Sequence, residues 1–190
     1  MGRPRTFDEE LVLDAAMRAF WTTGFAGTST EDLCAATGLR RSSLYNTFTG
    51  KRELFVAALH RYSDEMYQRL SEIVGRPLPV RDRIREILQQ GVEPLPGDPV
   101  GCLVVNSVIE LDGSDPEVAE QLHRDGERRL ALMREALAAA QGAGEIDPGR
   151  DPEALAQFVA ATVSGMRVAA RAGADRAALT AIADTALAAL

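Results

Sequence analysis

The sequence predicts an all-α protein: an N-terminal three-helix helix-turn-helix domain followed by a larger C-terminal helical domain. Apolar residues recur at helical spacing along the 190 residues, and strict apolar-polar alternation nowhere persists between turn signals. Three Asp-Pro pairs, beginning at Asp98, Asp115 and Asp151, also have the form of helix starts. Aspartate caps a helix N-terminus and proline suits its first position, so each pair predicts a new helix.

The first two helices have clear ends, and the second is short. Apolar residues that fall on one face of a helix predict a first helix over 8–23, which ends at Gly24. The second helix begins at an N-capping Ser29, with Asp32 three positions later in the place of the usual capping-box glutamate, and ends at Gly38.

The third and fourth helices complete the N-terminal unit. The run RRSSLYNTF at 40–48 follows a glycine turn, and after the Thr49-Gly50 break a long amphipathic helix starts at Lys51 and continues to about Val74. Two short helices around a glycine turn, followed by a long one, indicate a helix-turn-helix with a connecting helix. We therefore expect one domain over 1–50 and a second over 51–190.

Further helices are expected along the C-terminal part, where Gly173 ends the penultimate one and Asp175 caps the last. Their predicted ranges are 80–94, 98–112, 116–141, 152–172 and 175–189.

Composition excludes several classes of protein. With 46% hydrophobic and 26% charged residues the chain resembles an ordinary globular protein, and it has no apolar run of the roughly 18 residues that a membrane span needs. A cytoplasmic protein with free thiols at Cys34 and Cys102 is expected. His60 and His123 belong to no recognisable nucleophile, metal or phosphate motif, so neither catalysis nor a cofactor is predicted.

Charge is unevenly distributed along the chain, whose net charge is −7. Residues 1–62 hold eight basic and seven acidic residues, whereas the remainder holds 13 basic and 21 acidic ones. The segment 38–52 contains no acid, and a local basic cluster binds phosphates whatever the total charge. An ordinary solvated surface is the alternative interpretation. The basic residues of this segment are Arg40, Arg41, Lys51 and Arg52.

The most specific pattern covers residues 7–56. The run SLYNTFTGKRELF follows a capped TSTEDL helix, at a spacing that extends through three helices into a fourth. In these residues the chain resembles the DNA-binding domain of the TetR/AcrR family of transcriptional regulators. The resemblance implies a homodimeric repressor that a small-molecule inducer releases from a palindromic operator in double-stranded DNA. Beyond residue 56 the chain matches the family only in helical layout.

Two kinds of DNA contact are expected. The first turn of the third helix would enter the major groove, where arginine binds guanine O6 and N7 and serine donates or accepts hydrogen bonds. The start of the second helix and Lys51 would bind phosphates. The resemblance places a phosphate contact at Tyr45, for which core packing is the alternative. The predicted DNA-binding residues are Arg3, Arg5, Thr28, Ser29, Thr30, Arg40, Arg41, Ser42, Ser43, Tyr45, Asn46, Thr47 and Lys51.

The resemblance also implies that the C-terminal domain binds a ligand and dimerises through its last two helices. A stripe of small residues, Ala161, Gly165, Ala169 and Ala172, fits close helix packing either between two chains or within one. Candidate ligand-binding residues lie at helical spacing, and each fits a packed core equally well. They are Tyr62, Met66, Cys102, Asn106, Ile109, Met133, Leu137, Phe158, Thr162 and Met166.

Two alternatives to a ligand switch remain open. Cys102 in the run GCLVVNSVIEL is either a thiol sensor, by analogy with some members of the family, or a buried small hydrophobe. No Lys or His lies within five residues of it to lower the thiol pKa. A helical ligand-binding or protein-binding module that does not bind DNA is the more distant alternative, and it would make the basic cluster incidental.

Overall fold

The chain folds entirely into helices and turns within residues 8–94, 96–111 and 114–190, which are the residues that its computed structural model describes. No described helix combines the length and the apolar character that crossing a membrane requires. The prediction of an all-α fold is thus confirmed. The helices are α1 (Glu9–Gly27), α2 (Thr30–Thr37), α3 (Arg41–Phe48), α4 (Lys51–Val74), α5 (Val80–Val92), α6 (Leu103–Leu111), α7 (Pro116–Gly142), α8 (Pro152–Arg171) and α9 (Arg176–Ala188).

Most predicted helix ends are confirmed because the capping groups lie where the sequence places them. Ser29 caps α2, and the capping box is complete, with the Asp32 carboxylate accepting a hydrogen bond from the Ser29 N–H at 2.8 Å. Hydrogen bonds from Ser29 lower the pKa of Asp32. Asp115 and Asp151 cap α7 and α8, each followed by proline in the first turn.

The predicted helix start at Asp98 is wrong. The next helix, α6, begins only at Leu103, after Gly97 and Gly101 have both taken positive φ angles of 85° and 101°. The Asp98 carboxylate, instead of capping a helix, pairs with Arg18 at 3.4 Å and with Arg69 at 3.8 Å. An Asp-Pro pair therefore marks a loop here, because its carboxylate stabilises a contact with α1 and α4.

The predicted break at Gly24 is a kink rather than the end of α1. Gly24 has φ 81° and ψ 174°, and one further helical turn follows it as far as Gly27. The Glu110 carboxylate of α6 accepts hydrogen bonds from the N–H groups of Phe25 at 2.8 Å and Ala26 at 2.6 Å. These N–H groups begin the new turn, so Glu110 caps it from the C-terminal part of the chain.

Two hydrophobic cores lie one behind the other along α4. The first joins α1, α2, α3 and the first half of α4 to α6 and to the start of α7. The second joins the end of α4 to α5, α7, α8 and α9. Helices α4 and α7 contribute buried side chains to both cores, α4 from Leu54 to Ile73 and α7 from Val118 to Ala140.

Candidate nucleic-acid interface and inner cavity

Helix α3 presents a polar face to solvent. Leu44 and Phe48, four residues apart, are buried against the first core and fix the orientation of the helix. On the other faces Ser43 is half-buried, and the remaining side chains of its N-terminal part are exposed. The helix contains no acidic residue. The exposed predicted contacts are Arg40, Arg41, Ser42 and Asn46.

Three predicted contacts meet at the junction of α2 and α3. The Tyr45 hydroxyl lies 3.3 Å from Thr30 Oγ1, and the Arg41 guanidinium lies 5.6 Å from the centroid of the Tyr45 ring. Arg41 also lies 3.6 Å from the Glu31 carboxylate, but both side chains are more than two-thirds exposed, so this ion pair contributes little. The geometry brings a phenol, a hydroxyl and a guanidinium together on one surface.

The start of α4 adds a positive charge beside that surface. The Lys51 Nζ lies 4.5 Å from the centroid of the Phe25 ring, a cation-π contact that positions the ammonium group. Gly50 precedes the helix without a side-chain cap, so the first-turn N–H groups of α4 have no such partner there. Unpaired N–H groups and a lysine at a helix N-terminus suit a phosphate.

Arg52 differs from the other basic residues of its segment. Its guanidinium donates to both carboxylate oxygens of Asp115, at 2.7 and 2.9 Å, and to Glu117 at 2.8 Å. These hydrogen bonds raise the pKa of Arg52 and lower that of Asp115. Arg52 thus joins the start of α4 to the start of α7, and the basic cluster available to DNA is reduced to Arg40, Arg41 and Lys51.

Some predicted DNA-binding side chains are used inside the domain. Thr28 is fully buried, and its hydroxyl donates to the Gly24 carbonyl at 2.6 Å, so the structure places it in the core instead of at a phosphate. Thr47 donates to the Ser43 carbonyl on its own helix, and Ser29 caps α2 while remaining exposed. Arg3 and Arg5 lie outside the described residues.

A cavity of about 300 Å³ lies between α4, α5, α6, α7 and α8. Its wall is mostly aliphatic and contains methionine side chains, which adapt to irregular shapes. Of the ten predicted ligand-binding residues the structure brings three to this wall, namely Met66, Cys102 and Met133.

Polar groups that the sequence analysis missed also line the cavity. Arg129 on α7 and Arg167 on α8 each have a buried guanidinium nitrogen, Nη1 and Nε respectively, without a hydrogen-bond partner in the described part of the chain. Gln90 and Ser164 are further polar residues of the wall. The sequence does hold a signal for Arg129, which lies four residues before Met133 on the apolar face of α7.

Tyr62 lies beside the cavity wall. It is 2% exposed, packs edge to face on Trp21 with ring centroids 4.8 Å apart, and donates to the Cys102 Sγ at 3.4 Å. Burial raises the pKa of Tyr62, and the neighbouring thiol adds to this. Cys102 is 5% exposed, so the thiol is largely shielded from solvent.

The other predicted ligand-binding residues lie away from the cavity. Asn106 donates to the Trp21 carbonyl at 3.4 Å, and the Ile109 side chain on α6 is 70% exposed to solvent. Leu137 and Met166 are packed in the second core. These residues do lie at helical spacing, but their side chains contact other parts of the protein, or solvent, instead of the cavity.

Phe158 and Thr162 border a shallow groove between α8 and α9 on the outside of the molecule. Phe158 and Ile182 are 41% and 40% exposed there. Of the small-residue stripe, Ala161, Gly165 and Ala172 are also exposed, whereas Ala169 packs against the second core. Ala161 also borders the inner cavity. Much of this apolar outer face is therefore open to solvent.

Comparisons with known proteins cover both parts of the chain. The family model described as bacterial regulatory proteins of the tetR family matches residues 12–58. The family model described as the tetracyclin repressor-like C-terminal domain matches residues 91–186.

Individual relatives extend over nearly the whole length. The chain is 36% identical to the HTH-type transcriptional regulator YezE of Bacillus subtilis (strain 168) over 84% of each chain. It is 32% identical to the HTH-type transcriptional repressor ComR of Escherichia coli (strain K12), over 98% of this chain and 90% of the relative. It is also 32% identical to a cysteine mutant of the regulator CifR solved with a 26-bp double-strand operator DNA, at a TM-score of 0.85 and 99% coverage of both chains.

Proposed function

The chain belongs to the TetR family of bacterial transcriptional regulators, and from this premise we propose that it is a repressor that leaves its operator when a small molecule binds. The acid-free, exposed face of α3 carries the DNA-binding part of the proposal. The likeness to a regulator solved on operator DNA, at 32% identity, supports it.

The DNA contacts divide by chemistry. Arg40, Arg41 and Ser42 lie at the start of α3, where a recognition helix meets base edges in the major groove. Tyr45 with its neighbour Thr30, and Lys51 at the start of α4, suit the phosphates on either side. In this division α3 reads the sequence and the flanking groups fix its position.

The protein acts as a homodimer in this proposal, with α8 and α9 as the shared surface. Exposed small residues on α8 let a second helix approach closely, and Phe158 and Ile182 offer apolar side chains beside them. A two-fold dimer presents two α3 helices to two half-sites, which is what a palindromic operator requires.

Ligand binding in the cavity is the proposed signal, since the cavity has an apolar wall with a few polar groups, as small-molecule sites usually do. The cavity adjoins α4, whose first residue lies at the proposed DNA surface. The alternative switch, modification of Cys102, has weaker support because the thiol is 5% exposed and accepts a hydrogen bond from Tyr62.

The test of DNA binding is a gel-shift titration with DNA from upstream of the protein's own gene, repeated over a salt series. We expect sequence-specific binding whose affinity falls steeply with salt, because phosphate contacts release counterions. The double variant Arg40→Ala with Arg41→Ala should lose the specific complex.

Arg85→Ala is the matched control, since Arg85 is an exposed arginine of α5 that pairs with Asp82 on its own helix. Equal losses of binding in Arg85→Ala and in the α3 variant would contradict the assignment of α3 as the recognition helix.

A further inference from the structure

The cavity holds two arginines whose charges are not neutralised by neighbours. We propose that it binds an aliphatic monocarboxylate, with the carboxylate between Arg129 and Arg167 and the hydrocarbon chain against the apolar wall. The inference rests on the proposed function in one respect, that the occupant of this cavity is the inducer.

The two guanidinium groups lack partners. Within the described residues, neither Arg129 nor Arg167 forms an ion pair, and Arg129 forms no hydrogen bond. Arg167 donates from Nη1 to the Gly101 carbonyl at 3.1 Å, which leaves its buried Nε free. Both side chains are half-buried, and each has one buried nitrogen without an acceptor. Removing a charged group from water without a partner is costly, so two such groups at one cavity favour an anionic occupant.

The same cavity has no acidic side chain on its wall within the described residues. Asp125 lies one turn before Arg129 on α7, but it forms no ion pair with it and does not reach the wall. An amine or other cation would therefore meet two positive charges and no negative one.

The size of the cavity and the chemistry of its remaining wall suit a small, mostly apolar molecule. About 300 Å³ corresponds to the liquid volume of about ten waters, which suits a short molecule. Apart from the arginines, the polar side chains on the wall are Gln90 and Ser164. A nucleotide or another polyanion would need more donors than these, whereas a carboxylate on an aliphatic chain needs one bidentate arginine contact or two shared ones.

The experiment is calorimetric titration of the full chain, without DNA, with octanoate, octan-1-ol and octylamine. These probes share a chain length and differ in the charge of the head group. We expect octanoate to bind at least tenfold more tightly than octanol, which corresponds to about 1.4 kcal/mol, and octylamine to show no binding. No octanoate binding at millimolar concentration, or octanol binding as tight as octanoate, would overturn the proposal.

Arg129→Gln tests the residue. It should weaken octanoate binding at least tenfold and leave octanol binding unchanged, and Arg129→Lys should retain part of the preference for octanoate because it keeps the charge. Arg124→Gln is the matched control, an exposed arginine of the same helix paired with Glu120, and should change nothing. Melting curves of each variant check that it is folded.

Octanoate titration together with the gel shift distinguishes failure of the anion site from failure of ligand-induced release of DNA. If octanoate binds through Arg129 but leaves the gel-shifted complex intact, the anion site stands and the ligand-release part of the proposed function fails. If octanoate does not bind while the specific DNA complex forms, the anion proposal alone is wrong.

Discussion

Arg41 and Lys51 each carry one positive charge at the proposed DNA surface, but their surroundings differ. Arg41 lies in the first turn of α3 and is 67% exposed, so its guanidinium is free to reach a base edge. Lys51 lies half-buried over the Phe25 ring at the start of α4, which holds its ammonium group in one region. The two residues should therefore act differently although their charge is the same.

Arg41→Ala should relax base preference at one position of each half-site and cost about 1–3 kcal/mol on the preferred operator. Lys51→Ala should weaken binding to all sequences alike and reduce the slope of the logarithm of affinity against that of salt by about 1. Binding to a set of single-base operator variants, repeated over a salt series, measures both quantities. A change of base preference in Lys51→Ala with an unchanged salt slope would contradict this division.

Single residues were predictable where their role is local. Leu44 and Phe48 follow from helical spacing, and the capping role of Ser29 follows from its place before an acidic first turn. Thr28 was not predictable, because only the folded chain shows its hydroxyl bound to the Gly24 carbonyl. Arg129 and Arg167 come from two helices that meet only through tertiary packing, so their convergence on one cavity has no local signal.

The kink of α1 shows how one glycine determines the shape of an element. At φ 81° and ψ 174°, Gly24 adopts a conformation that L side chains rarely take. A Cβ at this position would also lie 2.7 Å from the Glu110 Oε2 that caps the following turn. The backbone conformation therefore favours glycine, and a side chain at this position would also displace the Glu110 carboxylate.

Gly24→Ala should destabilise the protein by about 1–3 kcal/mol, measured as the free energy of unfolding in urea. Gly27→Ala, one turn later, is the control. It has no positive φ, and its Cβ would have Thr23 at an ordinary 3.7 Å, so it should be close to neutral. If the two substitutions lowered the free energy of unfolding equally, the conformation of Gly24 would not be the cause of the loss.

Helix ends were predictable where the cap and the helix are neighbours in sequence, as at Asp115 and Asp151. The prediction failed at Asp98 because Arg18 and Arg69, distant in sequence, take its carboxylate. The extra turn after Gly24 was missed for a similar reason, since the Glu110 carboxylate that caps it comes from α6. Long-range side-chain contacts thus set the boundaries that local patterns could not.

At the scale of the whole molecule, the exposed apolar face of α8 and α9 indicates assembly. The wild-type protein should have twice the 20.5 kDa chain mass in solution, and Ile182→Glu should shift it toward the monomer by placing a charge in the α8–α9 groove. Light scattering after size-exclusion chromatography measures the mass.

Leu11→Glu is the matched control for this assembly, since Leu11 is a 66% exposed apolar residue of α1 and should leave the dimer intact. Dissociation by Leu11→Glu and not by Ile182→Glu would place the interface elsewhere.

The all-α architecture was predictable because every described element carries its own periodicity. The DNA-binding surface stays a proposal, and its residues could be chosen from the sequence because they are nearly continuous in it. The cavity was not predictable from the sequence, because its wall consists of residues from five helices, α4 to α8, and depends on how those helices cross. The predicted domain boundary at residue 50 stays a prediction, and the first core extends across it.

Because of that shared core, helices α1 to α3 cannot be transferred to another protein by themselves. A chimera cut at residue 50 and grafted onto another regulator's body would leave the inward faces of Phe20 and Leu44 beside foreign side chains. A viable exchange would have to carry the first half of α4, helix α6 and the first turns of α7 with the grafted helices. A change of operator specificity is therefore easier to achieve by substitutions on the outer face of α3 than by exchange of whole domains. The residues beyond position 50 that would have to accompany the graft are Leu54, Phe55, Ala58, Leu59, Tyr62, Cys102, Leu103, Leu111, Val118 and Leu122.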